Sequence, residues 1–271
     1  MSYMQFADKY GPWAIIAGSA EGLGEAWSIG LAQKGINLIM VDHQENKLQL
    51  LSQSLRNDYN IETIPLLIDL SDLESAVKIM KESMKVNSRL LVYNAAYSLI
   101  KPFISITSEE LRHFTEINTH TQLQLVHAFS RHLVEKDQGG GIILMSSLAG
   151  LIGMQLVAPY AATKAFSWNL AEAISHELKP HKIDVMACIA GATSTPAYIK
   201  TKPIYGTIKP LVMKSEDVVA AALKKLGKKT LFIPGFNNRF NYWILTKLLP
   251  RKMSSRLANN TIKKMYAHST D

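Results

Sequence analysis

A chain of 271 residues with 47% hydrophobic content is long enough to bury one full α/β core. Its net charge of +8 is uneven: residues 200–271 hold 15 Lys and Arg against three acids, and residues 1–199 hold 15 against 19. A mildly acidic body argues against a built-in nucleic-acid groove. One cysteine excludes an intramolecular disulfide framework, and the lack of an early apolar leader or of a run of about eighteen apolar residues makes the cytoplasm the expected location.

Apolar runs alternate with amphipathic ones, the pattern of a doubly wound parallel sheet of about seven strands with helices on both faces. Ala14 to Ala17 reads as a buried strand, then a turn with glycines at 18, 22 and 24, then a helix from Leu23 to Lys34. The second strand, Asn37 to Val41, runs into Asp42 and His43, followed by a helix from Gln44 to Tyr59. Strands over Glu62 to Leu67 and Leu90 to Tyr93 flank a helix from Asp72 to Lys85, with Ser71 as its cap. A long helix is expected from Ser108 to Lys136, ended by Gly139-Gly140-Gly141. His113, His120 and His127 recur along it every seven residues without a metal-binding pair pattern, which reads as a packed or interfacial face and predicts no metal site. Then come a strand (Gly141 to Met145), a helix (Tyr160 to Leu178) and a strand (Asp184 to Ile189) in which Cys188 reads as a small buried hydrophobe. Pro196 to Met213 has no period, and its place after the sixth strand suits a cover over a ligand. A helix over Ser215 to Leu226, capped by Ser215, and a strand over Thr230 to Ile233 complete the body.

Two clusters carry chemistry. Glycines spaced G-x-x-x-G-x-G between strand and helix let the backbone approach a pyrophosphate beside free helix N–H groups, although the same residues also suit a tightly packed loop. Tyr160 and Lys164 lie four residues apart, on one helix face. An ammonium beside a phenol favours the phenolate and eases proton transfer near neutral pH. Ser147, thirteen residues upstream of the tyrosine, can hold a carbonyl or alcohol oxygen against the phenol. Ser146 is its competitor, and strand alternation allows one of the two to face the site.

Together these residues resemble the short-chain dehydrogenase/reductase family over roughly residues 10 to 235, with residues 236–271 as a C-terminal helical extension. The resemblance implies a Rossmann-type fold and NAD(P)-dependent interconversion of a secondary alcohol and a ketone. It maps the family's catalytic residues onto Asn118, Ser147, Tyr160 and Lys164. Tyr160 is then the proton donor and acceptor, Lys164 lowers its pKa and binds the nicotinamide ribose, and Asn118 holds a water linking Lys164 to solvent. The implied cofactor set is Gly18, Ser19, Glu21, Gly22, Leu23, Gly24, Asp42, Asp69, Leu70, Asn94, Ala95, Ala96, Tyr160, Lys164, Gly191, Thr193 and Thr195. The chain departs from the family at Ala17, Tyr93, Ala96 and Ala190, all on segments around the cofactor. Asp42, at the end of the second strand, can accept hydrogen bonds from the adenosine ribose hydroxyls and repels a 2′-phosphate. With Glu21 it favours NAD over NADP. Relatives of this kind commonly form dimers or tetramers through the fourth and fifth helices, and a homo-oligomer is expected.

Phe236 to Met253 mixes Phe240, Trp243, Leu245 and Leu248 with Arg239, Lys247 and Arg251 at helical spacing. That pattern fits packing on the chain's own fold, a cover over the substrate, a subunit contact, or a weak contact with an anionic membrane. On the membrane reading the extension can be removed with activity kept. Extensions of this kind in relatives that reduce steroid or long-chain acyl ketones point to a lipophilic substrate.

Overall fold

A computed structural model describes residues 3–205 and 211–267. The strands are β1 (Trp13–Ala17), β2 (Asn37–Asp42), β3 (Thr63–Leu67), β4 (Ser88–Tyr93), β5 (Gly140–Ser147), β6 (Ile183–Ala190), β7 (Thr193–Ser194), β8 (Met213–Lys214) and β9 (Leu231–Phe232). Seven form one parallel sheet in the order β3-β2-β1-β4-β5-β6-β9, and β7 pairs with β8 beside it. The helices are α1 (Tyr3–Tyr10), α2 (Leu23–Ala32), α3 (Glu45–Tyr59), α4 (Ser75–Val86), α5 (Ser108–Thr115), α6 (Thr121–Glu135), α7 (Ala158–Leu178), α8 (Pro196–Lys200), α9 (Ser215–Leu223), α10 (Phe236–Trp243) and α11 (Arg251–Met265).

Central strands carry continuous apolar runs, Trp13 to Ala17 in β1 and Leu38 to Val41 in β2, because both faces of the sheet are covered. Ile16, Met40, Val92 and Met145 point into one core with Trp27 and Leu31 of α2 and Val218 of α9. Their neighbours Ile15, Ile39, Leu91 and Leu144 point into the other, with Ile79 of α4, Phe129 of α6 and Ala171 of α7. Strand order reverses at β1 and β4, so their carboxyl ends diverge into a crevice. Gly18, Asn94 and Ala95 stand at its floor.

Several boundaries differ from the sequence reading. The expected helix from Ser108 to Lys136 is α5 and α6 joined by a π-helical turn, Glu116–His120. Ser71 caps nothing: its N–H and hydroxyl both bond Asp69 Oδ1 at 2.8 Å, and α4 begins only at Ser75. Ser215 lies inside α9 without a side-chain cap bond. The segment read as one stretch from Phe236 to Met253 is broken by a π-helical turn, Ile244–Leu248, and by Pro250, and a further helix, α11, follows. His120 and His127 are exposed, His113 is partly buried 5.3 Å from the Tyr97 ring, and no metal-binding cluster occurs among the described residues. Residues 206–210 of the cover segment lie outside the described residues. Cys188 is fully buried, and burial pushes its thiol up to about 12.

Candidate active site

One cleft of about 1200 Å³ runs along the carboxyl ends of the strands. Its first half is built for a dinucleotide. Gly18 leaves β1 at a φ of 78°, and a Cβ there would sit 2.8 Å from Ala95 Cα. A Cβ on Gly24 would reach 1.8 Å from the Gly18 carbonyl, so only glycine lets α2 start this close to the turn. The turn is locked from both neighbouring strands. Asn94 donates to Gly18 O at 2.7 Å, and Asp42 Oδ2 accepts from Ala20 N at 2.9 Å. Leu23 opens α2 on the cleft wall, so the positive end of that helix meets the cavity. This cradle fits a pyrophosphate. Gly18, Glu21, Gly22, Leu23, Asp42, Asp69, Leu70, Asn94, Ala95, Ala96, Gly191, Thr193 and Thr195 all line the cleft. Ser19 and Gly24 do not, since both are buried behind the turn, where Ser28 Oγ bonds the carbonyls of both.

Glu21 is not the free carboxylate the sequence suggested: Lys47 Nζ pairs with it and donates to Gln44 Oε1 at 2.8 Å. Asp42 also accepts from Gln44 N at 3.0 Å, and the exposed His43 ring lies 3.6 Å from its Oδ1. This part of the wall therefore sets a buried acid beside an exposed imidazole ring and an acid paired with a lysine.

Deeper in, Ser147, Tyr160 and Lys164 converge from β5 and α7. Ser146 is buried and donates to Lys164 O at 2.7 Å, leaving Ser147 to face the cavity. Ser147 Oγ accepts from Ala149 N at 3.2 Å and shares a hydrogen bond with the Tyr160 phenol. Lys164 Nζ donates to Met145 O at 2.8 Å and sits 5.7 Å from the centre of the Tyr160 ring. Burial raises the phenol, only the Ser147 bond works against it, and burial also lowers Lys164 to about 8.

Asn118 sits in the π-helical turn, buried behind the cleft. Its Oδ1 accepts from Tyr97 N at 2.7 Å, and its Nδ2 donates to Tyr97 O at 2.9 Å and to Thr163 Oγ1 at 3.0 Å. Both amide protons are used, so the side chain bridges the 94–98 segment and α7.

Sequence reasoning missed the far wall. Leu99, Ile100, Met154 and Val157 line it from one side, and Ile262 and Met265 of α11, with Tyr266 just after it, from the other. The last three recur at helical spacing, a stripe that a longer window over the tail would have exposed. α11 is fastened there by Asn259, whose Oδ1 accepts from Gln155 N at 2.7 Å and whose Nδ2 donates to Gly153 O at 3.0 Å. Ile204 N donates to Met265 O at 2.8 Å, tying the cover segment to the same helix.

The buried ammonium gives a stability test. Because Lys164 is lowered to about 8, its burial opposes folding fully below pH 8, and this opposition fades as the pH rises toward 10.5. The difference is on the order of 3 kcal/mol. Lys164→Met is expected to lose turnover by roughly two orders of magnitude yet melt at or above the wild-type temperature at pH 7. The gap should shrink between pH 8 and 10.5. Melting curves across that range check this, and a gap independent of pH would contradict the burial argument.

A Rossmann-type sheet with a pyrophosphate cradle and a Ser, Tyr and Lys cluster defines a nucleotide-dependent oxidoreductase. The family model described as short chain dehydrogenase matches residues 12–203, and the chain belongs to that family. A 7beta-hydroxysteroid dehydrogenase of Mediterraneibacter gnavus is 30% identical over 240 residues, 87% of this chain and 90% of that protein. A very-long-chain 3-oxoacyl-CoA reductase of Meyerozyma guilliermondii is 28% identical over 253 residues, 90% and 73% of the two chains. A solved 7beta-hydroxysteroid dehydrogenase structure superposes with a TM-score of 0.87 at 26% identity, covering 93% of this chain and 98% of that one. A Sphingobium yanoikuyae short-chain dehydrogenase solved with NADPH gives 0.78 at 25% identity, covering 86% and 92%. The chain is thus an oxidoreductase that uses a nicotinamide dinucleotide to interconvert a secondary alcohol and a ketone. No helix among the described residues is long and apolar enough to cross a membrane.

Proposed function

We propose that this enzyme acts on a bulky, apolar-bodied secondary alcohol or ketone, with NAD(H) as the preferred cofactor. The observation that carries the reading is the far wall: Leu99, Ile100, Met154, Val157, Ile262 and Met265 make an apolar chamber next to Tyr160. The steroid and long-chain acyl names of the relatives agree with a chamber of that kind. The dinucleotide supplies or takes up a hydride. Ser147 holds the substrate oxygen, Tyr160 gives or takes its proton, and Lys164 binds the ribose and, once it does so, favours the phenolate. Asn118 acts as a positioning residue through Tyr97 and Thr163. Consumption of reduced cofactor with a bulky ketone tests the reading.

The cofactor choice rests on Asp42, which is only 6% exposed and lines the adenosine end. NADH is expected to bind about tenfold or more tightly than NADPH, because a 2′-phosphate beside that carboxylate costs more than about 1.4 kcal/mol. Fluorescence titration with each reduced cofactor decides it. Equal or tighter NADPH binding would mean that Lys47 and His43 dominate.

A homo-oligomer through the face of α5, α6 and α7 is supported by Leu73, Leu111 and Leu123, which are exposed around it. A weak contact of the 236–271 extension with anionic lipid is supported by the exposed rings of Phe236, Phe240 and Trp243. These stack at 6.3 and 6.5 Å beside a strongly basic sequence.

A further inference from the structure

The segments that wall the substrate half share a property that hydride transfer does not use. Between Asp184 and Glu216 the chain has four lysines and no acid, and between Asp217 and Asp271 it has eleven Lys and Arg and no acid. These stretches hold α8 and the cover segment on one side of the chamber and α11 on the other. The carboxylates that line the cleft, Glu21, Asp42 and Asp69, all belong to the cofactor half. At the rim of the substrate half stand Lys200 and Lys202, which line the cleft and are solvent-exposed. Neither has an ion-pair partner among the described residues. Beside them Tyr198 lines the cavity, with its hydroxyl 2.8 Å from that of Tyr205. Two hydroxyls that share one hydrogen bond retain one proton between them. With Tyr205 as donor, the Tyr198 O–H is left to donate to a ligand. An apolar chamber therefore ends in a group of donors with no acid opposite.

We infer that the substrate's apolar body ends in an anionic group, which Lys200 and Lys202, with Tyr198, hold at the rim of the cleft. The inference rests on the alcohol–ketone chemistry proposed at Tyr160 and adds the charge of the substrate's far end. A carboxylate on the substrate itself and the phosphates of a carrier thioester offer the same chemistry.

The experiment uses the full chain, NADH and one bulky ketone acid in three forms: the free acid, its methyl ester and its coenzyme A thioester. Wild type is compared with the Lys200→Gln/Lys202→Gln double variant. Two exposed ion pairs are each worth up to about 1 kcal/mol, so the ratio of kcat/KM for acid over ester should fall about tenfold in the variant. The loss should appear in KM, and the wild-type ratio should fall as salt is added. A thioester preferred over the acid, with the preference lost in the variant, supports the inference and assigns the anion to a carrier. An unchanged acid-to-ester ratio overturns it. Equal losses on acid and ester, or weakened NADH binding, also overturn it, because the lysines then serve lid packing or the cofactor. A wild type inactive on all three forms would instead overturn the alcohol–ketone reading at Tyr160.

Discussion

Tyr160→Phe is expected to lower kcat by roughly two to four orders of magnitude while leaving cofactor affinity within about threefold. The phenol is the proton-bearing group that shares a hydrogen bond with Ser147 at the head of the cleft. Phenylalanine keeps the ring and its packing on α7 and removes only the hydroxyl that carries the proton. The cradle is built elsewhere, from Gly18, Gly24, Asn94 and Asp42, so binding should survive. Steady-state turnover together with a cofactor titration separates the two effects. Turnover near the wild-type value on any accepted substrate would sink the assignment.

The second large effect concerns the end of the chain. Deleting residues 250–271 removes Ile262, Met265 and Tyr266 from the chamber and the Asn259 fastening from the loop at Gly153 and Gln155. Losing apolar contacts from three side chains is worth about 2–3 kcal/mol to a bulky ligand, so kcat/KM should fall roughly 30- to 150-fold. The two core clusters of the sheet contain no residue of α11, so fold and cofactor binding are expected to persist. Circular dichroism, NADH titration and turnover on a bulky ketone read the three quantities. Unchanged kcat/KM would return the helix to the role of a dispensable surface tail. Asn259→Ala, which leaves the chain whole, should show a smaller loss in the same direction, and no loss would speak against the fastening.

What could be read from the sequence followed from how local the cause was. Strands such as Ala14 to Ala17 and Asp184 to Ile189 were legible because a fully buried strand is a short apolar run with turn residues at its ends. The glycine turn was legible because its spacing answers to backbone contacts at Gly18 and Gly24. The π-helical turn at 116–120 was not, since one extra residue in a helix leaves the apolar period almost intact. The Ser71 cap failed because Asp69 competed for the same hydroxyl. The pairing of Glu21 with Lys47 was hidden for a different reason: the partners lie 26 residues apart and meet only across the turn. The substrate wall was the least legible, for it joins residues near 100, 155, 198 and 262 that no local pattern connects.

The central claim is that this cleft carries out hydride and proton transfer on a bulky carbonyl. It is tested most directly by following the loss of reduced nicotinamide absorbance with a panel of apolar-bodied ketones and identifying the product. The account predicts one alcohol formed per cofactor consumed by the wild type, the reverse reaction with the alcohol and the oxidised cofactor, and neither with Tyr160→Phe. Binding of cofactor without consumption in either direction, across ketones and alcohols alike, would contradict it.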